Sequence, residues 1–298
     1  MQPAKRLQNA GYRLVGNHSG VKLCLWCKKS IKTGESSHCY KQQFYGIKSH
    51  RCLQMSPALP FCNLRCEYCW RDVSLAHSAW LGGIDEPEKI IEGSIEAQKA
   101  LLTGLGGVTH SEKHLREAMK PKHVAISLEG EPTMYPYLSE LIEGFHRRGM
   151  TTFLVTNGTL PEVLEKTTLP TQLYVSLSST SAEMFKKLQK PVAKNLWQKI
   201  NTTLELLNSL STRKVIRLTL IRNINMDEEG FSKLIMKAEP DFIEAKAFMS
   251  VGSSRQRIPY SSMPLHTEIK EFAEKLSGLT GYSVADEKAD SRVVLLKK

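Results

Sequence analysis

From residue 121 onward the chain alternates short apolar or β-branched runs with amphipathic helical patterns, and no other feature constrains its fold as much. Strands joined through helices pair in parallel, because a crossover of helix length returns the chain to the same end of the sheet. The strand-like runs are HVAISL (123–128), TTFLVT (151–156), QLYVSL (172–177), VIRLTL (215–220) and FIEAKAF (242–248), with MSPALPF (55–61) ahead of them. Between them lie the helical patterns 137–149, 182–190, 196–210 and 228–238. Six strands with intervening helices predict an α/β fold, a partial (β/α)6 TIM-like barrel over residues 54–260. A further helix is predicted over 86–103, with Asp85 as its cap, Pro87 in its first turn and Gly104 at its end. Beyond Pro264, residues 261–298 read as a last helix and two strands, YSVADEK and RVVLLKK, packing on the barrel.

There is no apolar run of the roughly 20 residues that a membrane span needs, and the polar start MQPAKRLQNAGYR does not resemble a signal peptide. A cytoplasmic protein is expected. In such a chain seven cysteines point to a metal centre rather than to disulfides. Cys62, Cys66 and Cys69 form CNLRCEYC directly after the first strand. Three thiolates from one tight loop hold a 4Fe-4S cube and leave its fourth iron open to an outside ligand. A ferredoxin would carry a denser run ending in Cys-Pro. The alternative is zinc: the CLWC and CEYC pairs resemble a four-cysteine ribbon, which leaves Cys62, Cys39 and Cys52 unexplained.

Residues 1–51 hold ten Lys/Arg against one acid, Glu35, which is +9 of the chain's net +11. Such a segment suits a phosphate backbone, and binding of that kind weakens with salt. Cys24, Trp26, Cys39, Tyr40, Phe44, Tyr45 and Cys52 lie among these charges, so residues 1–53 are expected to form a folded, basic, cysteine-containing extension. Three strand ends carry polar groups where β/α barrels build their sites: Gly130, Glu131, Pro132 and Thr133 in EGEPT, Asn157 in VTNGT, and Ser178 in LSSTS. Each is also compatible with simple turn chemistry.

The cysteine spacing, with the aromatic Tyr68 just before the third cysteine, resembles the radical S-adenosylmethionine superfamily. The resemblance implies that the open iron chelates S-adenosylmethionine, that its reduction yields a 5'-deoxyadenosyl radical, and that Tyr68 contacts the adenine. EGEPT resembles the superfamily's glycine-glutamate motif, and Asn157 and Ser178 fall at further cofactor-binding strand ends.

The run from LCLWCKKS through CYKQQFYGIKSHRC to CNLRCEYCWR, residues 23–71, closely resembles the tRNA 4-demethylwyosine synthase family; LEGEPTMYP and FLVTNGT extend the likeness more loosely over the barrel. The family reading implies a lyase-class enzyme of the wybutosine pathway. Its substrate would be N1-methylguanosine at position 37 of phenylalanine tRNA, which it condenses with pyruvate into a tricyclic imidazopurine. It implies a second 4Fe-4S cluster on Cys24, Cys39 and Cys52, and a Schiff-base lysine at Lys41, with Lys48 the second choice. Cys27 departs from the family pattern; it is a fourth ligand, a substitute for Cys24, or a bystander. The target base is expected to unstack from the anticodon loop into the barrel mouth, with Arg217, Arg222, Arg255 and Arg257 as candidate extensions of the RNA surface. No flavodoxin-like domain is visible, so an external donor such as a flavodoxin or ferredoxin is expected, and a monomer. The competing readings are a radical enzyme acting on a peptide, a protein or another RNA base, and a zinc-containing RNA-binding protein.

Overall fold

The computed structural model of the chain describes residues 3–298, which group into two compact units. The first comprises the chain to Phe61, Trp80–Val155 and Thr167–Thr171. It holds α1 (Pro3–Asn9), β1 (Arg13–Val15), β2 (Ser19–Val21), α2 (Leu25–Thr33), α3 (Tyr40–Tyr45), β3 (Cys52–Ser56), α4 (Pro87–Thr103), α5 (Glu112–Ala118), β4 (His123–Ile126), α6 (Leu138–Arg147) and all but the last residue of β5 (Thr151–Thr156). β3 pairs in parallel with β4 and β4 with β5, in the register Cys52↔His123↔Thr151. β2 joins the other edge of β3 antiparallel, and β1 pairs antiparallel with β2. Parallel strands are covered on both faces, which is why Leu53, Met55, Val124, Ile126 and Leu154 on one face and Ala125 and Phe153 on the other are all buried. α6 buries Leu138, Leu141, Ile142 and Phe145, a 3.6-residue period, each worth about 1.5–3 kcal/mol when fully removed from water.

Two local expectations are corrected here. The first barrel strand is Cys52–Ser56, not 55–61, because Pro57 and Pro60 lack the amide hydrogens a central strand needs; the chain turns instead, with Phe61 N–H donating to Ala58 O at 3.0 Å. Asp85 does not cap α4. Glu86 occupies the cap position without a side-chain bond, and the buried Asp85 carboxylate accepts from Asn17 Nδ2 at 3.0 Å and from Lys89 Nζ at 2.5 Å. Asp85 also donates its backbone N–H to His18 Nε2 at 2.9 Å, which leaves Nδ1 to donate to Pro57 O at 2.6 Å. His18 thus anchors the turn that leads into the cysteine loop.

The second unit comprises Cys62–Ala79, Thr156–Lys166 and Gln172–Lys298. Its elements are α7 (Pro161–Leu164), β6 (Gln172–Leu177), α8 (Ala182–Gln189), α9 (Leu196–Leu206), β7 (Arg213–Leu220), α10 (Glu228–Ala238), β8 (Phe242–Ala247), α11 (His266–Thr280), β9 (Ser283–Lys288) and β10 (Val293–Lys297). β6, β7 and β8 run parallel, β10 pairs antiparallel with β8, and β9 pairs with β10. The two C-terminal strands predicted from the sequence therefore form a pair, and one of them extends the sheet. Among the described residues no helix is long and apolar enough to cross a membrane.

Candidate active site

In the first unit, Cys24 is the N-cap of α2 and its sulfur accepts from Cys27 N–H at 3.2 Å. Cys39 is the N-cap of α3, its sulfur facing Lys41 N–H at 3.5 Å, while its own N–H donates to Ser49 Oγ at 2.9 Å. Cys52 opens β3. Helix N-termini favour thiolate through their unpaired amides and dipole. Burial nevertheless pushes the Cys24 and Cys52 thiols up, and Cys24 and Cys39 raise Cys52 further while Lys41 opposes them. Three cysteines from separate elements and Lys41 therefore lie within electrostatic reach of one another. The Lys41 ammonium sits 5.4 Å from the Phe153 ring centroid. Lys48 is exposed instead, with its ammonium 4.0 Å from the Glu117 carboxylate.

Cys27 neighbours the same three thiols but is closed off from solvent. It is 0% exposed in an apolar cluster with Leu23, Ile31, Leu102 and Ala118, and its S–H points to His50 O at 3.7 Å. Desolvation first, then the neighbouring Cys24, push its thiol well above the usual range.

Gly130 has φ +74°, and a Cβ there would run into the carbonyl oxygens of Ala58 and Phe61. Only glycine lets this strand end close on the turn before the cysteine loop. Glu131 N–H donates to Phe61 O at 2.7 Å. Its carboxylate, 2% exposed, accepts from Thr133 N–H at 3.1 Å and Thr133 Oγ1 at 2.7 Å, so it caps the short 3-10 turn Pro132–Met134.

In the second unit, Cys62, Cys66 and Cys69 lie on a loop closed by Cys62 N–H to His77 O at 2.9 Å and Cys69 N–H to Cys66 O at 3.1 Å. The Arg65 guanidinium donates to the carbonyls of Cys62 at 2.7 Å and Leu64 at 3.0 Å. Burial pushes the Cys66 thiol well up, and the adjacent Cys69 and Cys62 add to it. Tyr68 packs against Leu188, Ile221, Phe248, Ile258 and Met263. Asn157 donates from Nδ2 to Asn63 Oδ1 at 2.9 Å, and Asn63 donates to Thr159 Oγ1 at 2.7 Å. Asn157 thus reaches the residue after the first cysteine. Asn63 escaped the sequence reading because asparagine in a loop carries no distinctive signal. Ser178 is buried and its carbonyl accepts from Asn225 Nδ2 at 2.8 Å. Of the four arginines expected on an RNA surface, only Arg255 is exposed. Arg217 pairs at 2.8 Å with the fully buried Glu244 and lies over the Tyr174 ring, Arg222 pairs with Glu268, and Arg257 turns onto the cysteine loop.

Among the described residues, no three His, Cys, Asp or Glu side chains close tightly enough to chelate a single metal ion. A zinc ion needs thiolates about 2.3 Å from one centre, whereas a cube of four irons spreads them apart. The donor chemistry of CNLRCEYC fits such a cube: burial and the neighbouring Cys69 and Cys62 penalise ionisation of Cys66, and a cationic iron core would reverse that penalty.

The model described as the radical SAM superfamily matches residues 57–235, and the chain is a radical SAM enzyme, using S-adenosylmethionine and a 4Fe-4S cluster. Residues 237–298 match a second family, described as wyosine base formation. A protein of Pyrococcus abyssi named S-adenosyl-L-methionine-dependent tRNA 4-demethylwyosine synthase is 50% identical over 295 residues, covering 96% of this chain and 86% of that protein. One of the same name from Methanocaldococcus jannaschii is 41% identical, covering 98% and 94%. A solved structure described as TYW1 with a lysine-pyruvate adduct bound superposes with a TM-score of 0.91 at 40% identity, over 99% of this chain and 94% of that one. The chain belongs to the tRNA 4-demethylwyosine synthase family, which sets aside the peptide-directed and zinc-binding alternatives.

Proposed function

We propose that this enzyme builds 4-demethylwyosine on N1-methylguanosine 37 of phenylalanine tRNA, drawing two carbons from pyruvate. The observation that carries the reading is the convergence of Cys24, Cys39 and Cys52 with Lys41 in a chain whose solved relative holds a lysine-pyruvate adduct. Cys24, Cys39 and Cys52 would hold a second 4Fe-4S cluster, whose three-cysteine ligation leaves an iron for the keto acid. Lys41, once neutral, attacks the pyruvate carbonyl; water leaves and a Schiff base remains. Cys62, Cys66 and Cys69 would hold the first cluster, with Tyr68, Gly130, Glu131, Pro132, Thr133, Asn157 and Ser178 shaping the S-adenosylmethionine site around it. With one electron from an external donor, a cluster held there would split bound S-adenosylmethionine into methionine and a 5'-deoxyadenosyl radical, the chemistry needed to remove hydrogen from the N1-methyl group.

Residues 1–53 would form the basic extension that holds the anticodon-loop phosphates, 54–260 the barrel, and 261–298 its C-terminal cover. An external one-electron donor such as a flavodoxin or ferredoxin, a cytoplasmic location and a monomeric state complete the reading. The test is anaerobic incubation with N1-methylguanosine-containing tRNA, pyruvate, S-adenosylmethionine and reductant, followed by nucleoside mass spectrometry. The tricyclic nucleoside should appear with two carbons of labelled pyruvate; unchanged N1-methylguanosine alongside 5'-deoxyadenosine release would reject the substrate.

A further inference from the structure

The segment after β8 reaches back across some 190 positions of sequence onto the cysteine loop, and both lie within the second unit. Gly252, at φ +59°, lies so close to the Trp70 carbonyl oxygen that a Cβ would collide with it. Ser253 N–H donates to that same oxygen at 2.9 Å. A short 3-10 turn, Gly252–Gln256, then delivers Arg257, and the next residue, Ile258, is buried among Leu188, Ile221, Phe248 and Met263. The Arg257 guanidinium donates from Nε to Glu67 O at 3.0 Å and from Nη2 to Cys69 O, and Nε stands 3.8 Å from the Glu67 carboxylate. Its side chain is only 20% exposed.

We propose that Arg257 is a positioning residue that fixes the Cys66–Cys69 turn and sets how easily the cluster held there accepts its electron. The geometry gives two reasons. A planar guanidinium bridges two carbonyls two residues apart, which a lysine ammonium does less rigidly. A trans peptide directs its C=O and N–H to opposite sides, so drawing the carbonyls of Glu67 and Cys69 towards Arg257 turns the Tyr68 and Trp70 amides the other way. That orients backbone donors as well as carbonyls around the turn. The second reason is charge. One-electron reduction adds a negative charge to the cluster, and a fixed, half-buried cation on the ligand loop favours the reduced state. Arg65 supplies a similar cation from within the loop; Arg257 does so from a distant element, so its removal leaves the loop sequence intact.

This inference rests on the S-adenosylmethionine-binding cluster alone and is independent of pyruvate and of Lys41. The experiment uses full-length, iron-reconstituted Arg257→Met and Arg257→Lys, with the midpoint potential read from the EPR signal that changes on adding S-adenosylmethionine. Arg257→Met should lower the reduction equilibrium constant at least tenfold, a shift of about 59 mV to more negative potential for one electron. Arg257→Lys, which keeps the charge but not the fork, should fall between the two. 5'-Deoxyadenosine formation should drop with a weak protein donor and recover with a strong chemical reductant. If Arg257→Met folds but fails to retain iron at the first cluster, and Arg257→Lys restores it, the positioning role is supported and the lysine variant carries the potential measurement. Full iron, parental potential and parental rates with both reductants in Arg257→Met would overturn the proposal.

Discussion

Cys27→Ala separates a core thiol from a cluster ligand. The side chain is fully buried in the cluster of Leu23, Ile31, Leu102 and Ala118, so replacement loses the transfer free energy of one sulfur, about 1 kcal/mol. The space it leaves, on the order of 25 Å3, adds roughly 0.6 kcal/mol at the usual cavity cost. A loss of about 1.5 kcal/mol lowers the melting temperature by about 2–3 °C in a chain of this size. Cys27→Ser should be worse than Cys27→Ala, although it is closer in volume. The thiol meets His50 O at 3.7 Å; a hydroxyl on its shorter bond falls short of hydrogen-bond range and is left unsatisfied, at about 1–3 kcal/mol. If Cys24, Cys39 and Cys52 hold the proposed second cluster, iron content and cluster absorbance should be unchanged in the alanine variant, whereas Cys24→Ala should lose about half the iron. The assay is anaerobic thermal unfolding with iron quantification on the same preparations. Loss of half the iron from Cys27→Ala, or greater stability of the serine variant, would refute the reasoning.

Cys66→Ala should abolish 5'-deoxyadenosine release, while Cys39→Ala should spare it and remove only the tricyclic nucleoside; chromatography of both products in parallel decides. Gly130→Ala forces a side chain into left-handed backbone, about 1–2 kcal/mol before the collision with Ala58 and Phe61 is counted, and S-adenosylmethionine affinity by calorimetry should fall with it. His123 is held down to about 4 by burial first, then by Arg51, Lys122, His50 and Lys48. A histidine whose folded pKa lies below its unfolded value binds fewer protons when folded, so its stabilisation is complete above pH 6.5 and is lost as pH falls towards 4. Discounted for partial solvent screening this is about 1–2 kcal/mol, and His123→Gln should flatten that limb of the stability profile in urea titrations. Borohydride reduction with labelled pyruvate should mark the parent protein and leave Lys41→Ala unlabelled, by peptide mass spectrometry.

The sequence by itself determined the alternating strands and helices from residue 121 onward, the helix over 86–103 and the radical chemistry. Strand and helix periods are local properties, and CNLRCEYC is close enough in sequence for its spacing to declare its geometry. Hence α10 and the start of α8 fall where the pattern put them, the strand before the cysteine loop and the cap of α4 moved, at Pro57 and Asp85, where a missing amide hydrogen and a distant partner at Asn17 took precedence, and the short elements α1, β1, β2, α2, α3, α5 and α7 were not read from the sequence. What only the tertiary structure decided are encounters between residues far apart in the chain. Cys24 and Cys27 lie one turn apart on the same side of α2 and both neighbour Cys52, yet Cys24, at the N-cap, stays partly exposed while Cys27 is closed off among Leu23, Ile31, Leu102 and Ala118. In the sequence Arg217 and Arg257 are candidates for an RNA surface; folding places one beside Glu244 and the other on the carbonyls of the cysteine loop. Burial of a charge requires a partner, and which partner is available is settled by the fold.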